Sequence, residues 1–163
     1  MAVSAFDLKR SQTINGSDSP TSAAHAGKMP PHINVKTAQP AMRTIAMPAD
    51  TNPNGDIFGG WILAQMDLAG GSHAFREAQG RVATVAVTGM QFHKPVNVGD
   101  EVSCYCVTEC IGNTSVAVHV EAWVRRGRQD GSDEMVTEGL FTFVALDDTA
   151  KPRSVKETPS ITR

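Results

Sequence analysis

Two carboxylates, Asp56 and Asp67, stand at the start and in the interior of a long apolar segment that opens at Phe58. A carboxylate can take a proton from water, attack a carbonyl carbon, or return a proton to a leaving group. The neighbours of Asp67 at i−4, i−3, i+3 and i+4 are Leu63, Ala64, Gly70 and Gly71, none of them cationic. A buried carboxylate without a partner is expensive to keep charged, and carboxylates in such settings serve as general base or nucleophile. The plainer alternative is that Asp67 faces solvent at a gap in the packing. Asp56 precedes Ile57-Phe58-Gly59-Gly60; it is either a second reactive carboxylate or a turn and N-cap residue. Gly59 and Gly60 at a helix start would expose backbone N–H groups beside the positive end of the helix dipole, a setting suited to a developing oxyanion. Gly55, Gly59 and Gly60 match neither the dinucleotide-binding fingerprint nor a P-loop.

Other constellations are weaker. Gly70-Gly71-Ser72-His73-Ala74 imitates a nucleophile elbow, but its last position is Ala and it lies within a helical pattern. Cys104, Cys106 and Cys110 share one strand parity, yet no histidine pair has zinc-ligand spacing, so they read as ordinary buried thiols and no metal site is assigned. His73, His93 and His119 are scattered and read as structural. Lys94, Arg125, Arg126 and Arg128 could meet phosphates or could be solvated strand ends and loops. Asn113-Thr114-Ser115 offers hydroxyls and backbone donors at a hairpin, or simply turn chemistry.

The elements that must position these residues are legible from periodicity. Ala41–Met47 is a short extended run, and Asp50–Gly55 is a dense turn cluster. Phe58–Glu77 reads as a helix, with Phe58, Ile62, Met66, Ala69 and His73 near 3.6-residue spacing. Strands follow at Arg81–Phe92, Glu101–Ile111, Thr114–Arg125 and Glu134–Leu146, with Gly112-Asn113 as a hairpin signal and 127–133 as a polar loop. In Thr114–Arg125, Val116, Val118, Val120, Ala122 and Val124 alternate with Ala117, His119, Glu121 and Trp123. The order predicts an α+β layout, an antiparallel sheet with one helix packed on a face. The helix is apolar on most sides and must be covered on most sides. One sheet leaves part of it bare, so a homodimer is the natural completion.

Composition bounds the rest. The chain has 163 residues, enough for one domain, with 15 Lys plus Arg against 17 Asp plus Glu and a net charge of −2. That balance argues against a nucleic-acid binder working through a broad basic face. No apolar run approaches the roughly 20 residues of a membrane span. Three cysteines make no disulfide framework, and a reducing, cytoplasmic setting is expected. Residues 1–40 read as a flexible extension, with docking on the domain or on a partner subunit as the alternative; Asp7, Lys9 and Arg10 interrupt any signal-peptide core. The folded domain is expected over 41–153 and a tail over 154–163.

The run Arg43-Thr44-Ile45-Ala46-Met47-Pro48-Ala49-Asp50-Thr51-Asn52-Pro53-Asn54-Gly55-Asp56-Ile57-Phe58-Gly59-Gly60-Trp61 resembles the start of the YciA-like acyl-CoA thioesterases of the hotdog superfamily. The resemblance continues through Gln65-Met66-Asp67, Gly80–Val87, Phe92-His93-Lys94-Pro95-Val96, Glu121-Ala122-Trp123-Val124 and Phe141–Ala145. It implies a hotdog fold, in which about five antiparallel strands wrap a long central helix, and double-hotdog dimers, often assembled as trimers of dimers. It implies hydrolysis of acyl-CoA between two subunits, with coenzyme A as part of substrate and product and no separate cofactor. By that resemblance Asp67 is the catalytic aspartate, Gly60 the oxyanion donor with Gly59 adjacent, and Asp56, at the turn position that holds an Asn or Asp in related thioesterases, a further catalytic residue contributed from the facing subunit, which positions water or assists protonation of the departing thiolate. Asn54, Lys94, Asn113, Thr114, Ser115 and Arg125 fall in regions that contact coenzyme A. Two other readings stay open: an enoyl-thioester hydratase, which would need a His–Asp or His–Glu pair near the helix, and a non-catalytic acyl-CoA-binding protein.

Overall fold

The computed structural model describes residues 32–126 and 132–156. The expected loop 127–133, with Arg128, lies almost wholly outside them, as do 1–31 of the expected extension and 157–163 of the expected tail. The elements are β1 (Met42–Ile45), a 3-10 turn (Pro48–Asp50), α1 (Gly59–Glu77), β2 (Val82–Phe92), β3 (Glu101–Ile111), β4 (Ser115–Arg125) and β5 (Asp133–Ala145). The five strands form one sheet in the order β1-β3-β4-β5-β2, every neighbouring pair antiparallel. This is the α+β layout that the sequence predicts. No described helix is long and apolar enough to cross a membrane.

The alternation in β4 sets the core. Val116, Val118, Val120, Ala122 and Val124 are fully buried, and Phe141 and Phe143 of β5 stand opposite Val118 and Val116. Onto this face α1 lays Ile62, Met66, Ala69, Gly70 and Ala74, a stripe of helical period. Gly70 sets the closeness of the approach: a Cβ there would lie 3.0 Å from Phe143 and 3.2 Å from Val120. The helix ends in a Schellman arrangement, with Gln79 at φ 49° and the Gly80 N–H reaching the Phe75 carbonyl at 3.1 Å. Its other side stays bare. Leu68 is 61% exposed and Phe75 53%.

Residues 32–40, assigned to the extension by composition, run along the sheet. The Ile33 N–H donates to Glu121 Oε1 at 3.1 Å, and the Ala41 N–H donates to the Cys104 carbonyl. Past β5 the chain also stays packed: Val155 is buried and its N–H donates to the Asn113 carbonyl. The cysteines need one correction. Cys104 is buried and Cys106 half-buried, but Cys110 is exposed, because a register irregularity between Thr108 and Cys110 breaks the strand's parity.

Candidate active site

The entry to α1 is built by Asn52. Its side-chain Oδ1 accepts the N–H groups of Asn54 at 2.9 Å and Asp56 at 3.1 Å, while its own N–H donates to the Asp56 carbonyl at 2.7 Å. This Asx-type turn closes because Gly55 adopts φ 91°. Phe58 is the N-cap residue and offers no side-chain cap. The first bond back to it comes from Trp61 at 2.9 Å, so the N–H groups of Gly59 and Gly60 have no intrahelical acceptor. A Cβ added at Gly60 would meet nothing within 4 Å. A cavity of about 360 Å³ opens beside this end, lined by Phe58, Gly59, Phe92, His93 and Lys94 among others. Asp56 is exposed in the turn.

Asp67 lies elsewhere. At a rise of 1.5 Å per residue it sits about 10 Å along the helix from Gly60. It is half-buried, and it lines a second cavity of about 400 Å³ with Leu68, Gly71, Phe75, Arg81, Thr84 and Phe143. The expectation of a carboxylate without a partner is corrected here. Thr84 Oγ1 donates to Asp67 Oδ1 at 2.6 Å. Val82 and Thr84 stand opposite Ala145 and Phe143 on the helix-facing side of the sheet, which aims Thr84 at the third turn of α1. The bond takes one carboxylate oxygen, Oδ1. Thr84, which the strand pattern did not single out, thereby joins Asp67 at this cavity.

The residues expected to meet coenzyme A fall into two groups at opposite ends of β4. Asn113, Thr114 and Ser115 form the β3–β4 hairpin, where the carbonyls of Asn113 and Thr114 accept from Val155 and Ala145. Arg125 ends the same strand, about 33 Å away at 3.3 Å per residue. It pairs with Asp133 at 3.1 and 3.2 Å, which holds its pKa above the ordinary value. Lys94 is bound to Glu134, and Arg126 Nη1 reaches the same carboxylate at 2.9 Å. The hydrogen bond from Lys94 holds the Glu134 carboxyl below its usual range. One end of the chain thus carries the helix start, Lys94 and Arg125. The other carries Asp67, Thr84, Arg81 and the hairpin.

The histidines are not scattered as their spacing suggested. His73 Nε2 meets Thr108 Oγ1 at 2.8 Å, and burial lowers its pKa. His32, His93 and His119 converge on Glu121 and Glu138 at the outer face of the sheet. Sequence reading could not find this cluster, since it depends on the register that sets Glu121 opposite Glu138.

Comparison with known proteins places these residues among relatives. Residues 54–130 match the family model described as the thioesterase superfamily. The chain is 48% identical over 124 residues to the acyl-CoA thioester hydrolase YciA of Escherichia coli, covering 75% of this chain and 94% of that protein. The hexameric thioesterase y2039 of Yersinia pestis superposes with a TM-score of 0.69 at 49% identity, covering 74% of this chain and 98% of that one. An acyl-CoA hydrolase of Staphylococcus aureus, solved with butyryl coenzyme A, superposes with a TM-score of 0.65 at 27% identity, over 69% of this chain and 68% of that one. Its structures include alanine variants of an asparagine, an aspartate and a threonine, spaced 15 and then 17 residues apart. Asn52, Asp67 and Thr84 have those same intervals here.

Proposed function

The chain belongs to the thioesterase superfamily as an acyl-CoA thioester hydrolase, and we propose that it cleaves acyl-CoA to a carboxylic acid and coenzyme A at a site shared by two subunits. The observation that carries this reading is the division of the machinery along the helix. A thioester carbonyl cannot touch both Gly60 and Asp67 of one chain across about 10 Å of helix. Two antiparallel copies would bring the helix start and Lys94 of one against Asp67, Thr84 and the hairpin of the other. β2 lies at the sheet edge with Val85 56% exposed, and the bare face of α1 lies beside it. This supports a homodimer, and the family's hexamers make a trimer of dimers the expected assembly.

In the proposed step, Asp67 takes a proton from water while the water oxygen attacks the thioester carbonyl. The N–H of Gly60, with that of Gly59 beside it, holds the resulting oxyanion. The C–S bond then breaks, and the coenzyme A thiolate leaves and takes up the proton held by Asp67. A nucleophilic route is the alternative: Asp67 attacks, a mixed anhydride forms, and water hydrolyses it. The turn presents two side chains, Asn52 and Asp56, to orient water or assist protonation of the thiolate. A thiolate is a good leaving group, so these residues suffice for the step. Asn54, Asn113, Thr114, Ser115, Lys94 and Arg125 are proposed contacts for coenzyme A.

The test is hydrolysis of short, medium and long acyl-CoAs with detection of free thiol. One thiol released per acid formed is the expected result. Binding without thiol release would leave only an acyl-CoA carrier, and hydration of an enoyl thioester would replace the hydrolytic reading. Molar mass in solution, by light scattering, tests the assembly.

A further inference from the structure

The face of the sheet away from α1 carries a polar cluster that hydrolysis does not use. Glu121 of β4 and Glu138 of β5 are direct cross-strand partners, 0% and 3% exposed. Like charges directly opposite repel, and buried carboxylates need a positive partner or a metal. His119 projects from the same face two residues before Glu121 and is buried. Its Nε2 lies 3.5 Å from Glu121 Oε1 and 3.5 Å from Glu138 Oε2. Those separations are longer than ordinary hydrogen bonds, and His119 Nε2 and Glu138 Oε2 are left buried with no hydrogen-bond partner.

The second oxygen of each carboxylate is held from behind. Trp123 Nε1 donates to Glu121 Oε2 at 2.8 Å, and His93 Nε2 meets Glu138 Oε1 at 2.9 Å. The Ile33 N–H also reaches both Glu121 oxygens, at 3.1 and 3.3 Å. Glu121 Oε1 and Glu138 Oε2 are thereby turned toward His119. His32 Nδ1 approaches Glu121 Oε1 at 3.3 Å. The donor atoms of His32, Glu121 and Glu138 all lie within 4.8 Å of one another. A tetrahedral zinc ion with bonds of about 2.1 Å to nitrogen and oxygen holds its ligand atoms roughly 3.4 Å apart. The 3.3 Å between His32 Nδ1 and Glu121 Oε1 corresponds to that spacing.

We propose that His32, Glu121 and Glu138 hold a structural zinc ion, with His119, Trp123 and His93 packed against the carboxylates and orienting them. One neutral imidazole and two carboxylates make a neutral complex with Zn²⁺, which removes the repulsion between the paired glutamates. The ion fastens the segment that begins at His32 to β4 and β5.

Full-length protein stripped with a chelator and titrated with zinc sulfate alone tests this, read by calorimetry and by thermal unfolding in parallel. One zinc per chain is expected, together with a rise in Tm that EDTA reverses. His32 is 60% exposed, so His32→Ala leaves the fold intact and is expected to weaken zinc binding at least about ten-fold, with Glu138→Gln weakening it about a hundred-fold. No zinc uptake overturns the proposal, and so does zinc binding in His32→Ala as tight as in the unaltered chain. If Glu138→Gln does not fold, His32→Ala decides alone. Both readouts are independent of thioester hydrolysis, so failure of the zinc site and failure of the hydrolytic reading are distinguishable.

Discussion

Thr84 Oγ1 donates a 2.6 Å hydrogen bond to Asp67 Oδ1 and so ties the inward face of β2 to the third turn of α1. The bond fixes the carboxylate's rotamer at the cavity wall. A hydrogen bond to a charged group is worth about 1.5–3 kcal/mol, roughly ten- to a hundred-fold in rate if it is lost from the transition state. Thr84→Val is therefore expected to lower kcat by that factor with KM little changed. Thr84→Ser, which keeps the hydroxyl, is expected to restore most of it. Steady-state kinetics of the three proteins check this; equal kcat for Val and Thr would make the bond merely structural.

Asp67→Asn keeps the size of the side chain and its capacity to accept from Thr84 but removes the base. General-base catalysis contributes about 10²–10⁴-fold, and kcat is expected to fall by that amount with an unchanged circular dichroism spectrum. Turnover at the unaltered rate would remove Asp67 from the mechanism.

The turn before α1 offers two candidates that one pair of variants separates. Asn52 uses its Oδ1 to close the turn, while Asp56 is exposed and its carboxylate has no structural task among the described contacts. Asn52→Asp keeps the turn's acceptor but replaces the amide donor. It is expected to fold normally and to lose about ten-fold or more in kcat, if the amide hydrogen-bonds water or thioester. Asp56→Ala is expected to lose less. The reverse ranking would make Asp56 the working residue of the turn.

The elements were legible because their periods are clean. β3 spans the residues that the sequence predicts, and α1 begins one residue later than expected, at Gly59, because extended Phe58 serves as its N-cap. Asp67 could be singled out from its helical neighbours alone. Thr84 could not, because the strand irregularity between Thr84 and Ala86 decides which β2 residues face the helix. The strand order was equally hidden: β2 pairs with β5 at the far edge, not with β3, which follows it in sequence. The Glu121–Glu138 pair needs both a strand register and a face, and neither is a local property of the chain.

The three cysteines differ enough in setting to be told apart by a thiol reagent. Burial pushes the Cys104 and Cys106 thiols up to about 12, so at pH 8 both stay protonated and unreactive. Cys110 is exposed. One equivalent of fast disulfide exchange per native chain is expected at pH 8, rising to three in denaturant. Cys110→Ser is expected to abolish the fast phase. Two or more fast equivalents in the native protein would mean that β3 is not packed as described.

Gly70→Ala sets two opposing effects against each other at the point where α1 meets the sheet. In a free helix the change gains about 1 kcal/mol of propensity. Here the added methyl would stand 3.0 and 3.2 Å from the Phe143 ring and 3.2 Å from Val120 Cγ2, and both side chains lie in the core. Overpacking of a close-packed core costs about 1–3 kcal/mol, so the clash is expected to win and the melting temperature to fall. Gly71→Ala is the control. Its added methyl would meet only Phe143, at 3.6 Å, an ordinary contact, so the propensity gain should show as an unchanged or slightly higher Tm. Because Gly70 lies one turn from Asp67, a helix pushed off Phe143 would also shift the carboxylate away from Thr84. Gly70→Ala is therefore expected to lower kcat as well as Tm, while Gly71→Ala holds its Tm. Equal stability of the two variants would show that the helix has room to move, and that Gly70 does not set its distance from the sheet.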